Sequence, residues 1–332
     1  MRGDFIFFRV PSISICSLFL ARFIISTGNF VIPLLTLFLT QKLHYSPKTA
    51  GVVLTIVTFG MVIGSICGGI LADSIGRKKS IMLTSILSSV SFLLVPYVKD
   101  HSPNLFLSLV FLGVFGIAAI DPSINALVAD CSEEKDHNES FSLIYMAANL
   151  GCCAAPLIAS FLFLKNTDLV FILDALATLL SAITVALFVT EPVSSGKGSH
   201  TKAVSYGHKE STGGVLDLLR RNPLPLMVIA IFTLWPLIYS NFYFAFPLYC
   251  NEIFKGEGVK YYGYLAAING AAVFVFTPFV SSFAKKFHPI TNVIFGGILY
   301  TIGFGSYFFV RDFPLVITFL LVFSIGEIFS NT

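Results

Sequence analysis

An all-α integral membrane protein is the fold class this sequence predicts, and three observations predict it. The 332 residues are 55% hydrophobic and only 12% charged, with a mean hydropathy of +0.84, too little charge to cover a water-soluble globule. The apolar residues come in serial runs of about 20, the length of helix that crosses a bilayer core roughly 30 Å thick. Runs that long satisfy their backbone groups internally as helices, which disfavours a barrel of short alternating strands.

Spans are expected near 12–40, 48–72, 80–98, 103–129, 139–164, 169–190, 223–250, 259–284, 290–310 and 313–332. The first run is too long for a signal-peptide core, lacks a small-residue cleavage site, and is read as a retained span. Lys and Arg counted on alternate sides set the orientation. One side holds Arg2, Arg9, Arg77, Lys78, Lys79, Lys135, Lys197, Lys202, Lys209, Arg220, Arg221, Lys285 and Lys286, and the other Lys42, Lys48, Lys99, Lys165, Lys255, Lys260 and Arg311. The richer side is expected in the cytoplasm with the N-terminus, in a multi-pass protein of the plasma membrane. The sequon at Asn138 then falls in the cytoplasm, unused. The net charge of +3 reflects this loop bias and points to no nucleic-acid partner. The six cysteines show no disulfide spacing and read as small packing residues.

The only long polar stretch is 191–222, rich in Ser, Gly and Lys, which reads as a cytoplasmic linker. It separates an N-terminal six-helix bundle at 1–190 from a C-terminal bundle of four helices at 223–332. The halves echo each other: Phe30-Val31-Ile32-Pro33-Leu34 returns as Phe244-Ala245-Phe246-Pro247-Leu248, Gly51 as Gly263, and Leu71-Ala72 as Phe283-Ala284. Parallel half-bundles of this kind place a binding site at mid-membrane between them. Carried forward at the same offset, the repeat calls for two further closing helices, so the chain is expected to be a C-terminally truncated form of a twelve-helix protein.

Polar residues stand out against this background. Between the second and third spans lies Gly69-Ile70-Leu71-Ala72-Asp73-Ser74-Ile75-Gly76-Arg77-Lys78-Lys79. Gly76 suits a turn with φ > 0; Arg77 can pair with an acid at the inner end of span four, for which Asp130 is the candidate, and Asp73 can accept bonds from a neighbouring helix N-terminus. Inside the spans, Arg22, Ser26, Asn29 and Pro33 share one helical face, as do Asp121 and Asn125, and Tyr145, Asn149, Cys152 and Pro156. Ionisable groups at such depth are costly unless paired or wet, which marks Arg22, Asp121 and Glu327 as functional candidates. Asp174, close to a span end, reads as a solvated interfacial acid. Tyr239 and Tyr243, four residues apart in an aromatic stretch with Trp235, Phe242 and Phe246, suit a wall for flat or cationic molecules.

The stretch 69–79 resembles the loop motif of the major facilitator superfamily, G-x-L-A-D-R-x-G-R-K-x, with Ser74 in place of the usual cation. Phe141 to Gly151 with Pro156 is similar to the drug/proton antiporter branch, although Asp136 and His137 stand where that branch carries an Arg. Ser324-Ile325-Gly326-Glu327 is similar to a Gly-Glu pair of proton-coupled members. The resemblance implies a two-bundle, 6 + 6 helix architecture in which spans one, four, seven and ten line a central cavity. It implies a secondary transporter, proton-coupled and exporting small amphipathic molecules, or else a symporter importing a peptide, sugar or organic acid; a non-transporting protein or inactive fragment is the reading from another class. On this reading Glu327 and Asp121 are the proton-coupling acids, and Arg22, Ser26, Asn29, Asn125, Tyr145, Asn149, Tyr239 and Tyr243 line the cavity. Gly69, Asp73, Gly76, Arg77 and Asp130 form the cytoplasmic gate. The partners expected are a small-molecule substrate, protons and the lipid bilayer, the protein is expected to be monomeric, and the proton gradient serves as energy source with no cofactor or metal. No nucleotide loop, H-E-x-x-H or G-x-S-x-G occurs, so no enzyme is expected.

Overall fold

The computed structural model describes residues 12–133, 136–190 and 239–330, and among these every regular element is a helix. In chain order they are α1 (Ile13–Thr27), α2 (Val31–Leu37), α3 (Pro47–Ile75), α4 (Arg77–Val98), α5 (Pro103–Cys131), α6 (His137–Lys165), α7 (Thr167–Phe188), α8 (Ala245–Ile253), α9 (Gly258–Ala284), α10 (Pro289–Ser306) and α11 (Phe313–Ser330). Eight segments are long and apolar enough to cross a membrane, α10 is a shorter apolar helix, and α1 with α2 and the wider turn Phe38–Lys42 counts as one span. The expected linker 191–222 and most of the seventh span, Trp235 included, lie outside the described residues.

Burial runs opposite to that of a soluble helix. On α3 the inward positions are Ala50, Val53, Val57, Gly60, Gly64, Gly68 and Ala72, while Ile56, Phe59, Ile63, Ile66 and Ile70 are largely exposed. The large side chains are left for lipid, and the small ones let backbones approach, since without a hydrophobic drive between helices close packing holds them. A Cβ on Gly68 would lie 2.2 Å from the carbonyl oxygen of Ala119, so α3 and α5 meet there backbone to backbone.

Helices α1 and α3 to α7 pack into one bundle, α9 to α11 into another, and α6 packs along α9 between them. The first expected span departs from the sequence reading. It breaks at Gly28-Asn29-Phe30, and α2 starts afresh at Val31. The matching break lies in the second half, where turns over 241–244 precede α8 at Ala245. Both half-helices begin at equivalent points of the repeat, each with Pro as its third residue. The echo between the halves thus marks two broken spans.

Candidate functional site

Gly76 ends α3 and starts α4 at φ 96°, ψ 153°, a conformation that a Cβ makes unfavourable. This turn brings Arg77 beside α5, where its Nε lies 3.2 Å from Asp130 Oδ2, as the sequence suggests. Lys78 does more than orient the chain: its Nζ donates to the carbonyls of Ala186 at 2.9 Å and Val189 at 2.7 Å, closing the C-terminal end of α7. Asp73 does not fill its expected part. Its side chain is 80% exposed and its contact is Arg77, 3.9 Å away, because α3 ends with that residue pointing away from the bundle. Gly69 faces Pro122 of α5 at ordinary contact distance. The loop contacts shown therefore tie together four helices of the first bundle.

Deeper in, Arg22 of α1 and Asp121 of α5 form an ion pair across 99 residues of sequence. Their side chains keep 25% and 48% exposure, and Asn125, one turn below Asp121, is exposed as well. At mid-span such charges need water, so this face lines a wet gap. Pro122 interrupts the α5 backbone ladder beside Asp121, which frees a carbonyl at the same place.

The second half supplies a different centre. Glu327 of α11 is half-buried and accepts from Asn269 Nδ2 of α9 at 3.3 Å and from the hydroxyl of Tyr239. Asn269 also donates to Ser324 Oγ at 2.8 Å, and Tyr239 hydrogen-bonds Tyr243. Tyr239 stacks on Phe242 and on Phe323, so the two tyrosines stand on an aromatic floor. Cys152 of α6 lies within electrostatic range of Arg22, Asp121 and Glu327 together.

Of the remaining residues expected in the cavity, Tyr145 is 54% exposed and Asn149 half-buried on the same α6 face. Ser26 is not in the gap: it is 8% exposed and lies where a Cβ on Gly151 would strike it, so it packs α1 on α6. Asn29 sits in the break of span one, its Oδ1 buried without a hydrogen-bond partner. Asp174 is a correction. It is 1% exposed, and its Oδ2 accepts from the backbone N–H groups of both Phe30 and Val31 at 3.0 Å. Sequence position put it near a span end, but the break in α1 created donors that draw it inward. Asn269 and Asp174 are the residues that sequence reasoning missed; an isolated Asn at 269 within an apolar run was the available signal.

Among the described residues, the core packing between the two halves gathers at the end away from Gly76. At the far end a core cluster draws on both halves, with Leu34, Phe38, Phe246, Tyr262 and Tyr307 among its members. Two hydrogen bonds cross there, Thr36 Oγ1 to the Tyr243 carbonyl at 2.7 Å and Gln41 Nε2 to Asn251 Oδ1 at 2.8 Å. Towards the Gly76 end, the described core cluster comes from the first half alone.

Two helical bundles related by a repeat, each with an ionisable group within its spans, are an arrangement found in membrane transporters. Residues 18–332 match the Major Facilitator Superfamily, and the chain belongs to that family. The uncharacterized MFS-type transporters YqjV and YttB of Bacillus subtilis are each 26% identical to it, the first over 90% of this chain and 71% of its own length, the second over 93% and 76%. A Na(+), Li(+), K(+)/H(+) antiporter of Planococcus maritimus is 21% identical over 90% of this chain and 74% of its own. Among solved structures, a bacterial homologue of the human drug peptide transporters PepT1 and PepT2 superposes with a TM-score of 0.68 at 17% identity, covering 97% of this chain and 83% of that one. A D-xylose-proton symporter does so with a TM-score of 0.65 at 15% identity, covering 96% and 79%. The protein is thus an MFS membrane transporter and not an enzyme.

Proposed function

We propose that the protein is a proton-coupled secondary transporter that exports small amphipathic molecules by alternating access. The observation that carries this reading is the unequal charge balance of the gap. Arg22 is matched by Asp121, whereas Glu327 is held by the neutral donors Asn269 and Tyr239. Among the described residues no cation is shown paired with Glu327, so its ionised form leaves one negative charge that a proton or a cationic substrate neutralises; competition between the two gives exchange. Glu327 takes the proton-coupling role, and Asp121, the other candidate, serves as the counter-charge to Arg22. Tyr239 and Tyr243 supply aromatic surface for the substrate. With the lysine-rich side in the cytoplasm of a cell enclosed by this membrane, the gap faces inward, ready to load substrate. Arg22 also supports a second reading, import of a carboxylate-bearing nutrient in symport with protons.

Reconstitution into proteoliposomes under an imposed pH gradient tests both. Exchange predicts that a cationic amphipathic dye moves against the proton flow; symport predicts that an organic acid moves with it. Gradient-driven movement that survives Glu327→Gln sinks the coupling role.

A further inference from the structure

The buried carboxylate of Asp174 has no part in the scheme above, and nothing in it serves the charge centres. Its surroundings are specific. The N–H groups it binds belong to the last residue of the break in span one, Phe30, and to the first residue of α2, Val31. That break sits in close packing, since a Cβ on Gly28 would lie 2.1 Å from Ala177 Cβ, while the side-chain oxygens of Thr27 and Asn29 are buried without partners. The Phe30 N–H is shared with the Gly28 carbonyl at 2.8 Å, whereas the acceptor shown for the Val31 N–H is Asp174; without the carboxylate that N–H would face an apolar interior unpaired, a cost that the native structure avoids. The same α7 face reaches α1 below the break, where Ser181 Oγ donates to the Ala21 carbonyl at 2.9 Å.

Beyond the break, the half-helix α2 and the turn after it carry Thr36 and Gln41, which make the two hydrogen bonds to the second half. The partner of Thr36 is the Tyr243 carbonyl, at the break that precedes α8. The far-end seam is therefore one half-helix of span one set against one of span seven. Only the first is shown held by a carboxylate from its own bundle.

We propose that Asp174 is a positioning residue of the far-end gate: by capping α2 it fixes that half-helix to the first bundle, so that Thr36 and Gln41 reach the second bundle and shut the seam. The proposal rests on the alternating-access reading, and it assigns to α2 the part of a hinged door whose pivot is Gly28-Asn29. An acceptor oxygen is what the position requires.

Cys250 supplies a native probe. It is fully buried on α8, next in sequence to Asn251, which takes the seam hydrogen bond from Gln41. In full-length protein whose other five cysteines are serine, Asp174→Ala is expected to speed maleimide labelling of Cys250 about tenfold and to strip hydrogen-exchange protection from the Val31 amide, with a smaller loss at Phe30, which keeps the Gly28 carbonyl. Asp174→Asn, whose side-chain carbonyl can accept the same two bonds, keeps labelling and protection near the parent values. Thr36→Val raises labelling while Phe30 and Val31 stay protected. Unchanged labelling in Asp174→Ala, or Asp174→Asn behaving like it, overturns the proposal; if Asp174→Ala does not fold, the Asn and Thr36 variants decide. Both readouts come from purified protein without substrate or gradient. Failure of transport with this pattern intact would refute the function above and leave the gate standing.

Discussion

The two halves each place a carboxyl group in the gap, and they treat it in opposite ways. Asp121 has its cation, Arg22, within the same bundle; Glu327 has an amide and a phenol. The difference teaches that depth in the membrane does not by itself fix how a carboxyl group is matched: a guanidinium supplies a full opposite charge, an amide and a phenol only dipoles. The coupling role proposed for Glu327 rests on that contrast.

The largest expected effect breaks this comparison at its root. Glu327→Gln should reduce gradient-driven transport by about a hundredfold, while Asp121→Asn should leave transport dependent on the gradient, as initial rates in proteoliposomes with and without a collapsed pH difference will show. Equal loss of gradient dependence in both variants would mean that the two carboxyl groups work as a unit.

Next in size is the pair itself. Arg22→Gln alone strands Asp121 and should destabilise the protein by about 2 kcal/mol, less than for a fully buried pair because Asp121 is 48% exposed to water. Adding Asp121→Asn should restore much of that loss, a coupling that a double-mutant cycle of thermal unfolding in detergent can measure. Additive losses would show that the ion pair is incidental.

Smaller effects sharpen the contrast between this mid-membrane pair and the pair at the loop. Gly76→Ala forces a side chain into φ 96° and should cost about 1–2 kcal/mol in the same unfolding assay. Arg77→Ala removes a partly exposed pair with Asp130 and should cost about 1 kcal/mol or less, falling further as salt is added. A salt-independent loss there would show a contact beyond the ion pair.

Much of this was legible in the chain because membranes restrict the options. Apolar runs of helical length located every described span, and Gly76 with Arg77 and Asp130 could be read since a tight turn, a cation and an acid are local features joined by short geometry. Arg22, Asp121 and Glu327 were visible for the cost of charge in lipid. Their partnership was not: Arg22 and Asp121 are 99 residues apart, and no periodicity states which of two acids a cation will meet. Asp174 was misread because its role depends on a break in another helix. The repeat located the breaks at Phe30 and Phe244 without revealing that they were breaks, since Pro as third residue suits a helix start and a continuous span alike.

By itself, then, the sequence determined that the chain forms membrane helices, which loop carries the turn and which residues are too polar for lipid, because each of these follows from local composition and the fixed thickness of the bilayer. Only the tertiary structure decided that Glu327 meets neutral donors, that Arg22 is taken by Asp121, and that Asp174 turns inward to cap a half-helix. Those outcomes are pairings between distant segments, selected when the helices pack and each buried polar atom must find a partner.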